Sequence, residues 1–215
     1  MTRQNSLFDD LSAPQLPDGF ILRADALDLD RQRALLAAIR TIEAAAPLAK
    51  LRTKGGGLTS AAMTNCGEAG WWSDAKGYRY ERANPMTGRP WPAMPEVFRR
   101  TVAGVMAASP WPGFDPDACL INFYSPEARM GLHQDRDEAD FSHPIMTVCL
   151  GDDADFQIGG AERSEKYFNV RVHSGDVMLM GGASRMRFHG VRKIFPGTSP
   201  LDVKGRYSLT FRKAL

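Results

Sequence analysis

The chain has 215 residues, 43% hydrophobic and 24% charged, with a formal net charge of +2, which permits a polyanionic partner without requiring one. A globule of this size buries roughly 70% of the surface its unfolded chain exposes, so one domain stands without disulfide or metal staples. Cys66, Cys119 and Cys149 form no Cys-x-x-Cys and cannot all pair, residues 1–10 hold no apolar leader, and no run of 18 apolar residues occurs, which argues against a disulfide scaffold, a signal peptide and a membrane span and for a reducing cytoplasmic setting.

Residues 1–19 mix Ser, Pro, Asp and Gln and read as a poorly ordered lead-in to a single domain over 20–215. The spacing predicts a helix over Asp28–Ala46, with Leu35, Ile39, Ile42 and Ala46 on one face, Asp28 or Asp30 as cap and Pro47 as stop. Gly55-Gly56-Gly57 marks a flexible loop, with Lys50, Arg52 and Lys54 just before it. Met63–Met94, rich in Gly, Trp, Tyr and Pro, reads as hairpins and loops with exposed aromatics. A second helix is predicted over Pro95–Ala108, with Phe98, Val102, Val105 and Met106 inward.

From Ala118 the hydrophobic period changes from helix to strand. Cys119–Tyr124, Pro144–Leu150, Phe156–Gly159, Tyr167–Val172, Asp176–Met180, Arg185–Gly190 and Arg206–Arg212 are short, β-branched or aromatic, and punctuated by Gly, Pro and Asp. Two helices followed by about seven strands predict an α+β chain, a double-sheet jelly roll with helices packed on one outer face. The acidic run Asp152, Asp153 and Asp155 reads as a solvated hairpin turn, and His143 and His173 as surface or loop residues.

The chemistry concentrates in His133-Gln134-Asp135-Arg136. If Leu132–Asp137 is extended, His133, Asp135 and Asp137 share a face. With His189 from a later strand, His133 and Asp135 make two imidazoles and one carboxylate, the facial set of non-haem Fe(II) oxygenases. Asn122 and Tyr124 share a strand face shortly before, and Arg206 and Arg212 share a face of the last strand. At about 3.3 Å per residue, six positions separate the two Arg Cα atoms by roughly 20 Å, and side chains reaching back about 6–7 Å each leave a gap suited to a small dicarboxylate. Arg is the fitting cation because its planar fork takes a carboxylate bidentately. A dicarboxylate beside Fe(II) points to 2-oxoglutarate, with O₂ as the second co-substrate.

Several ordered motifs carry a family resemblance. They are Met63-Thr64-Asn65-Cys66-Gly67, Gly77-Tyr78-Arg79-Tyr80, Pro90-Trp91-Pro92-Ala93-Met94-Pro95, Asp117–Tyr124, Leu132–Glu138, Gly175-Asp176-Val177, His189-Gly190 and Arg206–Arg212. Over about residues 60–213 the chain resembles the bacterial AlkB family of Fe(II)/2-oxoglutarate-dependent nucleic-acid demethylases. The resemblance implies that His133, Asp135 and His189 ligate Fe(II) and form the catalytic centre. It implies that Asn122, Tyr124, Arg206 and Arg212 hold 2-oxoglutarate, Arg206 on the distal carboxylate and Arg212 near the carboxylate closer to iron. Trp71 would stack on a flipped-out base with His133 on its other side, Asp137 would contact the exocyclic amine, Tyr78 would line the pocket and meet the backbone, and Arg163 would sit at the pocket edge. Beside Trp71 stands Trp72, where the family motif has one Trp, so either indole is open as the stacker. A nucleotide-recognition lid is expected over about 48–95 and the jelly-roll core over 115–215.

The implied activity is oxidative demethylation, a direct-reversal repair of DNA damage at bases such as 1-methyladenine and 3-methylcytosine. The products are formaldehyde, succinate and CO₂. Single-stranded DNA is the expected partner, RNA a second, and the protein is expected to be monomeric and without membrane contact. Lys50, Arg52, Lys54, Lys76, Arg79 and Arg82 are candidate phosphate contacts. The rival reading is an Fe(II)/2-oxoglutarate hydroxylase of a protein or small molecule, which shares the metal set and both Arg but leaves Trp71, Tyr78 and Asp137 unexplained. A non-catalytic single-strand binder and a cupin-like isomerase or hydrolase are the more distant alternatives.

Overall fold

Strict alternation along the later strands sorts their side chains onto two faces, and each face builds its own core. The computed structural model describes residues 16–215. Its elements are β1 (Phe20–Arg23), α1 (Leu29–Ala45), β2 (Ala62–Gly67), β3 (Gly70–Asp74), β4 (Gly77–Glu81), α2 (Glu96–Met106), β5 (Ala118–Tyr124), β6 (Met130–His133), β7 (Ile145–Gly151), β8 (Asp153–Ile158), β9 (Phe168–Val172), β10 (Val177–Met180), β11 (His189–Phe195) and β12 (Arg206–Arg212). A six-stranded sheet runs in the order β1-β10-β7-β12-β5-β2, a four-stranded sheet in the order β6-β11-β8-β9, and β3-β4 forms a separate hairpin. The strand pairings are antiparallel.

One face of the major sheet, with Cys119, Ile121, Leu209 and Phe211, packs with Leu35 and Ile39 of α1 and Phe98 and Val102 of α2. Phe98 meets Phe211 edge-on at 5.7 Å. The opposite face sends Leu120, Ile145, Cys149 and Met178 to meet Phe156, Ile158, Val191 and Ile194 of the minor sheet. This is the expected double-sheet jelly roll with helices on one outer face. Helix α1 starts where Asp28 accepts a hydrogen bond from the Arg31 N–H (2.8 Å) and stops at Ala46, ahead of Pro47. All four positions expected inward on α2 are buried.

Several sequence expectations change. The lead-in expected over 1–19 lies mostly outside the described residues. The core is not confined to 115–215: β1 pairs with β10 and β2 with β5, because the edges of the major sheet carry unpaired backbone groups that these segments satisfy. The strand expected over Arg185–Gly190 begins only at His189, after a 3₁₀ turn at Gly182–Ser184. There Arg185 turns inward and its guanidinium needs several acceptors, which it finds at His143 O, Asp135 O and Glu138. Within the stretch Leu132–Asp137, strand pairing ends at His133, the last residue of β6. Asp152 is 1% exposed rather than solvated, since its carboxylate accepts the backbone N–H groups of Thr198 and Ser199 (3.1 and 3.0 Å).

Nor are the aromatics of 63–94 generally exposed. Trp91 is buried, donating its indole N–H to Glu81 O (2.8 Å), and Gly70 makes room for it: a Cβ there would lie 2.5 Å from the Trp91 ring. Trp71 and Trp72 are half-buried, and Tyr78 is the exposed one of the set.

Candidate active site

Strand register brings the two imidazoles together across 56 residues of sequence. In the β6–β11 pair His189 stands directly opposite His133, and the rings lie 4.4 Å apart. Gly190 permits this approach, because a Cβ there would fall 2.5 Å from Met130 O. Each Nδ1 faces a backbone carbonyl, Gly131 O for His133 (3.0 Å) and Arg187 O for His189 (3.1 Å). A carbonyl only accepts, so Nδ1 carries the proton in the neutral ring and each Nε2 keeps its lone pair. Both Nε2 atoms point at Asp135, 3.6 Å from Oδ1 for His133 and 3.6 Å from Oδ2 for His189. The three ligand atoms all lie within 4.8 Å of one another. Such a set can close on one ion and leave adjacent coordination positions open toward the cavity.

Electrostatics favours that state. Burial, and then the neighbouring His189, push His133 down to about 4, so its lone pair is free at neutral pH. Burial alone would raise Asp135, but the Arg212 guanidinium and His189 outweigh it and hold the carboxyl well below the usual carboxylate range. Arg212 Nη2 donates to Asp135 Oδ2 at 2.7 Å and Nη1 to the Tyr80 hydroxyl at 3.0 Å. Tyr80 donates in turn to Glu138 Oε1 (2.6 Å), whose other oxygen accepts from Arg185 (2.9 Å). Burial raises the Tyr80 hydroxyl well above the ordinary phenol value, so it remains a donor. Sequence reading assigned no role to Tyr80, Glu138 or Arg185. No local signal pairs residues 47 or 58 positions apart; the clue was that four acids in 135–140 are too many for one ion, so some need cationic partners elsewhere.

This network predicts a stability effect. Glu138→Ala removes the carboxylate that pairs with buried Arg185 and accepts from the Tyr80 hydroxyl, leaving Arg185 only the carbonyls of His143 and Asp135, and breaking a buried pair from one side costs about 3–5 kcal/mol. Urea titration of variant and parent should read that loss; a difference under about 1 kcal/mol would mean that water or relaxation replaces the carboxylate.

The ligand set opens into a cavity of about 980 Å³ between the two sheets. Asn122, Tyr124, Arg206 and Arg212 all line it, as do Trp71, Tyr78, Asp137 and Arg163. Alternation explains the first four, since β5 and β12 send every second residue to this face while Ile121, Leu209 and Phe211 face the helices. Arg206, 1% exposed, donates Nη1 to Asp152 O (3.0 Å), but its Nε has no partner, and Arg212 Nε and Asn122 Oδ1 are also buried without one among the described residues. Buried guanidinium N–H groups without acceptors are costly, and a small dianion with carboxylates at both ends would satisfy them. The donor set therefore fits 2-oxoglutarate, and two imidazoles with a carboxylate fit Fe(II).

Trp71 is held firmly. Its indole N–H donates to Asp137 Oδ2 (2.7 Å), its ring stacks on Tyr78 (5.5 Å, 24°), and the Asn65 amide clamps its backbone from both sides (3.0 and 3.1 Å). Trp72 points to the other side of the hairpin, where its N–H donates to Asp74 (3.1 Å). Arg163 is exposed at the cavity edge, its guanidinium 4.8 Å from the Phe188 ring centroid. Of the candidate phosphate contacts, Lys54 lines the cavity, whereas Arg79 is taken up by Asp74 and Glu81.

Comparison with known proteins agrees with this geometry. A family model described as the 2OG-Fe(II) oxygenase superfamily matches residues 20–212. The chain is 41% identical over 201 residues to the alpha-ketoglutarate-dependent dioxygenase AlkB of Escherichia coli (strain K12), covering 94% of this chain and 92% of the relative. It is 46% identical over 199 residues to the AlkB homolog of Caulobacter vibrioides, covering 91% of this chain and 88% of the relative. Among solved structures OsALKBH1 superposes with a TM-score of 0.81 at 32% identity over 93% of this chain and 98% of that one. A Pseudomonas putida prolyl-4-hydroxylase shares the fold alone, with a TM-score of 0.52 at 18% identity over 91% of this chain and 92% of that one.

Proposed function

The chain belongs to the 2OG-Fe(II) oxygenase superfamily and, within it, to the AlkB family, and from that premise we propose that it removes alkyl groups from nucleic-acid bases by oxidation. Its cofactors are Fe(II), 2-oxoglutarate and O₂. The observation that carries the substrate reading is Trp71: an indole locked between Asp137 and Tyr78, on the wall of the cavity that holds the metal residues.

The bound metal, co-substrate and O₂ supply oxidation of an N-alkyl C–H bond, with 2-oxoglutarate leaving as succinate and CO₂. The chain's own residues do the rest. His133, Asp135 and His189 hold the ion. Arg206, Arg212, Asn122 and Tyr124 orient the keto-diacid. Trp71 offers a flat face to the extruded base, and Asp137 keeps Oδ1 free to accept from its exocyclic amine, since Oδ2 is engaged by the indole. The hydroxymethylated base then collapses to formaldehyde and the normal base. Cationic lesions such as 1-methyladenine and 3-methylcytosine suit this pocket, because an aromatic face attracts a cation by about 0.5–2 kcal/mol and a carboxylate adds to it. Extrusion from a duplex costs a few kcal/mol that a single strand does not require, so single-stranded DNA is the preferred substrate and RNA a second. The hairpin β3–β4 and the loop over 50–60 act as the recognition lid, within the segment 48–95. No helix among the described residues is long and apolar enough to cross a membrane.

The test is mass spectrometry of a 1-methyladenine oligonucleotide incubated with protein, Fe(II), ascorbate and 2-oxoglutarate. Loss of one CH₂ with release of formaldehyde is expected; an unchanged oligonucleotide, with succinate release stimulated by a small metabolite instead, would overturn the reading. Trp71→Ala should weaken binding of the same oligonucleotide by about tenfold, since a base–aromatic stack is worth roughly 1–3 kcal/mol. Unchanged affinity in that variant would remove Trp71 as the stacker.

A further inference from the structure

A second concavity of about 490 Å³ lies against the β3–β4 hairpin, lined by Lys50, Arg52, Trp72, Asp74, Lys76 and Met86 among others. We propose that it is a docking subsite for a nucleotide flanking the target base on the same strand, an inference that rests on the nucleic-acid reading of the main cavity. The lining has the chemistry of a nucleotide. Trp72 is a half-buried aromatic wall, and Met86 adds a polarisable thioether that is 62% exposed. Lys50, Arg52 and Lys76 are exposed, and none of them makes an ion pair among the described residues. The one carboxylate in the lining, Asp74, is already saturated: Arg79 grips both its oxygens (2.9 and 2.9 Å), and the Trp72 indole and the Lys76 backbone N–H bond to it as well. The groove thus presents three uncompensated cations beside one aromatic ring, the combination that binds single strands without reading sequence.

Continuity with the cavity selects the same strand as the occupant. Trp71 and Trp72 are consecutive residues of β3, one lining the cavity and the other the groove. The segment beside them makes the same passage, with Lys50–Arg52 on the groove and Thr53 and Lys54 on the cavity. Arg52 O accepts from Ser73 Oγ (2.6 Å), which ties that segment to β3. A strand whose target base enters the cavity needs to pass only Thr53 and Lys54 to lay a neighbouring base on Trp72 and its phosphates against Lys50, Arg52 and Lys76.

The test uses the Fe(II)-loaded protein with 2-oxoglutarate under anaerobic conditions. Decanucleotides carry 1-methyladenine at the centre and 2-aminopurine at one of the two positions on either side. Stacking on Trp72 should quench one of these probes, and Trp72→Ala should restore its fluorescence and raise the decamer Kd by about tenfold, while the Kd of 1-methyladenosine 5′-monophosphate, too short to reach both places, stays within about twofold. Lys50→Glu/Lys76→Glu, two surface changes, should flatten the salt dependence of decamer binding by at least about one unit in log K against log [salt]. That double variant decides the matter if Trp72→Ala does not fold. Probe quenching that persists without Trp72, or a decamer Kd and salt slope equal to the parent's, overturns the subsite. If Trp71→Ala also leaves decamer and mononucleotide binding unchanged, the failure lies with the main-cavity reading instead.

Discussion

Asp135→Ala is expected to abolish Fe(II) binding at micromolar metal and to lower turnover at least a thousandfold, roughly 4 kcal/mol of lost transition-state stabilisation. Asp135 is the only carboxylate of the ligand set, the acceptor of a 2.7 Å bond from Arg212 and the point at which both imidazole Nε2 atoms aim. Its removal leaves two imidazoles beside a buried guanidinium that has lost its nearest carboxylate and keeps only Tyr80 and the more distant Glu138, an arrangement that repels a dication. The free protein should lose stability too, since the Arg212–Asp135 pair is buried on both sides. Asp135→Asn separates the two effects: the shape and one acceptor oxygen remain, so the fold should hold while metal affinity falls. Anaerobic Fe(II) titration alongside thermal melting reads both quantities. Full activity in a folded Asp135→Asn protein would remove Asp135 from the ligand set.

Arg206→Ala should raise the KM for 2-oxoglutarate by about a hundredfold or more, because truncating one partner of a buried, charge-assisted contact costs about 2–5 kcal/mol. Fe(II) affinity should move less than about threefold, since among the described residues the Arg206 guanidinium bonds to Asp152 O and not to any of the three metal residues. Arg206→Lys is expected to lie between, as an ammonium supplies charge without the planar fork. Because Arg206 is among the largest fully buried side chains, the comparison needs variants whose melting shows a folded protein. Equal 2-oxoglutarate dependence in a folded Arg206→Ala protein would sink the assignment of its unpaired Nε to the co-substrate.

Much of this site could be read in advance because its parts follow short-range rules. A strand's two-residue period places Asn122 with Tyr124, and Arg206 with Arg212, on one face whatever the partner strands are. Helix α1 declares itself through Leu35, Ile39 and Ile42 and the Asp28 cap, and α2 through Phe98, Val102 and Val105. The segments misread were those whose conformation answers to a distant partner. Arg185 leaves a strand-like run because its guanidinium must reach Glu138 and Asp135 O. Asp152 is buried because the 198–199 backbone N–H groups lie beside it. No local pattern announces β1, which forms along the edge that β10 offers. Trp71 and Trp72, left open as alternatives by sequence, part company on the hairpin, one bonded to Asp137 on the cavity side and the other to Asp74 on the groove side.

Residue types and local periodicity suggested the chemistry, a two-imidazole, one-carboxylate metal set beside a pair of arginines in a two-layered β fold, and the resemblance of the ordered motifs to a family assigned each residue its role, because residue type and facing are local properties while His189 comes from 56 residues away. Which groups satisfy one another was settled by register across strands: His189 opposite His133, Tyr80 bridging Arg212 and Glu138, Arg185 closing the chain of charges. Those pairings join residues 47 to 132 positions apart or hang on a glycine's missing Cβ. They arise from the demand that every buried charge find a partner, a condition imposed by the folded interior and invisible to any single segment.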